Sequence, residues 1–108
     1  MQTLEEVESW GRFVDFICNT MDEIDKNLPK YLIFRMTGSW TNWVLRRKDK
    51  MWYEDKLVFD IHAAFCPDKL IITYNIPREF DYSNPDDFNP EKIGRYVTSI
   101  CKSRGVVK

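Results

Sequence analysis

The sequence predicts an α+β domain in the order α-β-β-β-β-α, with an antiparallel sheet and both helices packed on one face. Three observations predict it. Lys56–Ile76 reads as two apolar-alternating runs split by Pro67-Asp68, which is a hairpin pattern. Residues 3–28 and 89–104 carry apolar residues at spacings of three and four, the helical period. The 108 residues, 44% hydrophobic and 31% charged, suit one globular domain, 1–108, with a real core.

Thr3-Leu4-Glu5-Glu6 is a capping box, and Glu5, Glu6 and Glu8 suit the positive end of a helix. Val7, Trp10, Val14, Ile17, Met21, Ile24 and Leu28 then form the stripe expected to face the core, and Pro29 stops it. Phe13 and Phe16 widen that stripe, as suits a helix lying across a sheet. Gly11 weakens the helix by about 1 kcal/mol relative to Ala, which marks it as a candidate for close approach.

Tyr31–Thr37 alternates, with Leu32, Phe34 and Met36 on one side, and Gly38-Ser39 is the expected turn. Trp40–Arg47 is read as the second strand, with a short helix from Ser39 as the alternative. It is also an expected exposed edge, open to a homodimer through edge-strand pairing. In the hairpin, a Pro67-Asp68 turn pairs Phe65 with Leu70, Ala63 with Ile72, Ile61 with Tyr74 and Phe59 with Ile76 on the apolar face. The polar face pairs Ala64 with Ile71, His62 with Thr73 and Asp60 with Asn75. A one-residue slip would expose the whole apolar set, so the register is specified. Pro77–Asn89 is expected to be an acidic loop without regular structure. Asn89-Pro90-Glu91 then starts the last helix, with Ile93, Val97, Ile100 and Cys101 as its apolar stripe and Gly105 at its end.

Function is far less legible. A net charge of -1 provides no bulk field for nucleic acid or membrane, so such binding would need a local patch. No apolar run is long enough to span a bilayer, and no membrane partner is expected. Cys18, Cys66 and Cys101 are scattered, which suggests free thiols in a reducing, cytoplasmic setting, with no leader segment at the acidic N-terminus. One histidine and three dispersed cysteines give no zinc spacing, and the isolated glycines form no phosphate cradle; no metal and no cofactor is expected.

Three groups of residues carry candidate chemistry. Asp60 and His62, with Thr73 and Asn75 opposite and Arg35 nearby, would share the polar sheet face and make an acid–base pair for a small enzyme. The same spacing arises on any half-exposed strand. Trp40, Trp43, Trp52 and Tyr53 interleave with Arg46, Arg47, Lys48 and Lys50, the combination that stacks bases and contacts phosphates in single-stranded nucleic acid. Asp49, Glu54 and Asp55 dilute that charge. Asp81, Asp86 and Asp87 make the third group, acidic but without the glycine and terminal Glu of a calcium loop. Beyond Glu91 every charged residue is basic, so charge is segregated in a way that orients protein partners. The expected function is a non-enzymatic interaction protein with a protein partner: an inhibitor, adaptor or accessory factor, similar in size and composition to small phage or viral accessory proteins. A nucleic-acid-binding module is the first alternative, and an enzyme on Asp60 and His62 the second.

Overall fold

The computed structural model describes residues 3–48 and 61–104. The chain runs α1 (Leu4–Lys26), β1 (Leu32–Ser39), β2 (Asn42–Arg47), β3 (His62–Phe65), β4 (Lys69–Thr73), β5 (Pro77–Asp81) and α2 (Pro90–Ser103). The class stands: an antiparallel sheet with both helices on one face. Among the described residues the sheet has five strands in the order β1-β2-β3-β4-β5, one more than the sequence suggested.

The helix caps form as read. Thr3 Oγ1 accepts from the Glu6 N–H, and the Glu6 carboxylate accepts from the Thr3 N–H, both at 3.1 Å. Asn89 caps α2 through Oδ1, which accepts from the Glu91 and Lys92 N–H groups, and Pro90 takes the first helical position. Arg104 caps its C-terminus; Gly105 lies outside the described residues.

The hairpin register is the one written from the alternation: His62 opposes Thr73, Ala63 Ile72, Ala64 Ile71 and Phe65 Leu70. At the tip, the Cys66 N–H donates to the Lys69 carbonyl at 2.8 Å, and the Tyr82 hydroxyl donates to the Cys66 carbonyl at 2.7 Å. Positions 56–60, with the expected Phe59 and Asp60 pairings, lie outside the described residues.

Four expectations need correction. Pro77–Asp81 is not loop but edge strand β5, with Leu70 opposite Phe80 and Thr73 opposite Pro77. Proline is tolerated at the first residue of an edge strand, where no ladder N–H is needed. Because the chain turns at residues 74–76 to enter β5, Ile76 is not on the core face but 78% exposed, and Asn75 sits in the bend rather than on the open face. The first turn is not Gly38-Ser39: Ser39 pairs with Asn42 across Trp40-Thr41, after an irregularity that follows Met36. Gly38, at φ 103°, supplies the left-handed backbone there. Finally, Trp40–Arg47 provides no edge. From Asn42 onward it is strand, not helix, and it pairs with both β1 and β3.

The core lies between the sheet and the helices. Ile17, Met21 and Ile24 of α1, and Ile93, Val97 and Cys101 of α2, bury against Leu32, Phe34, Leu45, Ala63, Phe65, Leu70, Ile72 and Phe80. The helices meet at Gly94, where an added Cβ would stand 2.5 Å from the Cβ of Asn27. That close approach is the role expected of Gly11, where an added Cβ would meet no described residue within 4 Å outside its own stretch of helix.

Candidate functional site

The structure divides the basic and aromatic candidates instead of gathering them. Strand alternation puts Arg35 and Arg46 on the open sheet face, while Arg47, opposite Leu32, falls on the helix side. Lys48 follows the strand end, where its N–H donates to the Tyr31 carbonyl at 2.9 Å. Trp43 packs against the core, and its Nε1–H donates to the Trp40 carbonyl at 2.7 Å, holding the exposed Trp40 at the turn. Lys50, Trp52 and Tyr53 lie outside the described residues. The described part of this stretch is therefore not one continuous stacking platform.

On the open face His62 is exposed and pairs directly with Thr73, and Val44 separates it from Arg35. Asp60 lies outside the described residues and Asn75 is off the face, so the four candidates are not brought together within the described chain.

The acidic candidates serve local structure. Asp81 Oδ1 accepts from the Ser83 backbone N–H at 2.9 Å and the Ser83 hydroxyl at 2.8 Å, which holds its carboxyl below the usual range. Asp87 pairs with Arg78 at 3.3 Å, and the Arg78 guanidinium lies over the rings of Phe80 and Tyr96 at 4.6 and 5.1 Å. This ties the acidic segment to β5 and α2. Asp86 is exposed, and its carbonyl accepts from Lys92 Nζ. Among the described residues no group of His, Cys, Asp and Glu could hold a metal ion.

Two features escaped the sequence reading. Asp25, at the end of α1, accepts at Oδ1 from the Phe34 N–H, 3.1 Å away on edge strand β1. Partial burial raises its carboxyl to about 6, although the Phe34 N–H acts the other way; Asp22 raises it further, and Lys48 and Arg35 lower it. Asp25, Asn19, Asp22, Glu23, Lys26, Ile33 and Lys48 line an open cleft. The second is the start of α1. Leu4, Val7 and Trp10, two of them assigned to the core stripe by spacing, are 74%, 49% and 47% exposed. The fully buried residues of α1 begin only at Ile17, although Phe13 and Phe16 already pack against the core cluster. Phe16 marks that boundary, with ring centroids of Tyr82, Phe88 and Phe65 at 5.2, 5.7 and 6.3 Å.

Helix periodicity tells which face is apolar but not how far its partner extends, so only the sheet's own dimensions could have exposed this. The thiols of Cys18, Cys66 and Cys101 are free, and burial pushes that of Cys101 up to about 11, leaving it an inert core residue. No helix among the described residues is long and apolar enough to cross a membrane. No family model, no curated protein and no solved structure matches the chain.

Proposed function

We propose that this chain is a non-enzymatic interaction protein, an inhibitor, adaptor or accessory factor, that works by binding another protein in a reducing, cytoplasmic setting. The observation that carries this reading is the exposure of Leu4, Val7 and Trp10 on the first turns of α1. Each full burial of such a side chain is worth about 1.5–3 kcal/mol, so a partner covering this end gains substantially. Exposed large apolar residues gathered in one place mark interaction sites, and tryptophan is enriched among binding hot spots. The acidic residues around them, Glu5, Glu6 and Glu8, provide a polar rim.

The test compares the chain with the triple variant Leu4→Gln/Val7→Gln/Trp10→Gln. All three positions are exposed, so the variant should keep its helical circular dichroism. Affinity capture from source-cell lysate should recover a stoichiometric protein with the native chain and lose it with the variant. Undiminished capture by the folded variant would overturn the proposal.

A further inference from the structure

Beside its core-facing side, α1 carries a second apolar line. Leu4, Val7, Gly11, Val14 and Cys18 follow one another at spacings of three, four, three and four, the a and d positions of a heptad. This line lies about 110° round the helix from the core-facing set of Ile17, Thr20, Met21 and Ile24. Leu4, Val7 and Gly11 are exposed, while Val14 and Cys18 are half-buried yet outside the core cluster. The line ends below Cys18, where Met21 enters the core and Asp25 turns to β1.

Its two flanks differ. Towards the core stand Trp10 and Ile17. On the solvent side stands an acidic row of Glu8, Asp15 and Asp22, each seven residues from the next and each exposed. Gly11 sits in the middle of the line, and apart from its own stretch of helix no described residue lies within 4 Å of where its Cβ would be. A mid-helix glycine costs about 1 kcal/mol relative to Ala, and no close packing within the described chain offsets that cost. A notch of this kind admits a side chain from outside.

We propose that this seam docks an amphipathic helix of another protein, whose apolar face covers Leu4, Val7, Gly11, Val14 and Cys18 and whose lysines or arginines face Glu8, Asp15 and Asp22. The inference rests on the interaction-protein reading and names the chemistry of the partner. Charge complementarity selects the occupant. A second copy of this chain is disfavoured: the body fills the other flank, so a symmetric approach would set the acidic rows against each other. The same row repels nucleic acid and anionic lipid.

The probe is a fluorescein-labelled peptide of about three heptads, with Leu at a and d and Lys at the flanks, beside a counterpart with Glu at the flanks. Titration with the chain, followed by fluorescence anisotropy, should show the Lys peptide binding about tenfold more tightly than the Glu peptide, with the difference shrinking as salt rises. Reversal of the row by Glu8→Lys/Asp15→Lys/Asp22→Lys should exchange the two preferences, and Leu4→Gln/Val7→Gln should weaken both. Equal binding of the two peptides, a preference unmoved by charge reversal, or a sedimenting dimer dissolved by Leu4→Gln/Val7→Gln would each overturn the proposal. The broader reading fails separately. A charge-reversed chain that keeps its lysate partner, when the Leu4→Gln/Val7→Gln/Trp10→Gln variant loses it, sinks the basic helix alone; retention by both sinks the two together.

Discussion

Asp25 shows how one side chain is shared between a helix end and a sheet edge. Its carboxylate occupies the outward Phe34 N–H, which would otherwise invite another strand to pair with β1. Because the folded carboxyl is raised from 3.8 to about 6, the folded chain holds that proton more tightly than the unfolded one. Its contribution to stability is therefore complete below 3.8 and is lost as the pH rises through about 6. Asp25→Asn keeps an acceptor for Phe34 and cannot ionise. Denaturant midpoints measured across this range should show the native chain losing stability relative to the Asn variant as pH rises. Parallel curves would mean that Asp25 is solvated. The two helical glycines should respond in opposite directions. Gly11→Ala fills open space and should stabilise by about 1 kcal/mol. Gly94→Ala collides with Asn27, at its Cβ rather than the far end of a flexible chain, and should cost about 1–3 kcal/mol. Thermal melts of the two variants, moving up and down respectively, check both.

At the scale of elements, the hairpin register was legible because apolar alternation and a two-residue turn agree, from Phe65–Leu70 to His62–Thr73. Strand β5 was not legible, because Pro77, Arg78, Glu79 and Asp81 surround one apolar residue, Phe80. An edge strand of this composition has the local signature of a loop. Its placement comes from tertiary contacts: Phe80 buries against α2, with the Tyr96 ring centroid at 5.9 Å, and Lys69 pairs with Glu79 at 2.9 Å. The same missing strand misplaced Ile76, since the length of β4 depends on where β5 begins. Phe80→Ala should thus cost about 3–5 kcal/mol, the loss typical of a buried aromatic. Ile76→Asn should stay within about 0.5 kcal/mol of the native chain. Urea unfolding of the pair separates the fold as described from one in which β4 runs through Ile76. The candidate site suffered from the same blindness to extent. The spacing of Val7 and Trp10 identified a real apolar side of α1, but not that this side is left exposed over its first turns.

For the whole molecule, the covered face of the sheet gathers both helices into one buried cluster, and α1 and α2 touch where Gly94 meets Asn27. Neither helix has another surface among the described residues on which to bury Ile17, Met21 and Ile24, or Ile93, Val97 and Cys101. Both helices bury into the one cluster that holds Leu70 and Phe80, so the two should unfold together. Helical circular dichroism and tryptophan fluorescence, to which Trp43 against the core contributes among the four tryptophans, should trace one coincident transition in urea. The exposed first turns of α1 make this a demanding test. They share the helix but not the core, and exposed backbone with few buried contacts opens locally at little cost. A shallow loss of helical signal before the main transition is consistent with fraying of Leu4–Trp10, and a partner helix seated on the seam should remove it. Two separate main transitions would instead show that α1 or α2 stands on its own, and the single-domain organisation would then be wrong.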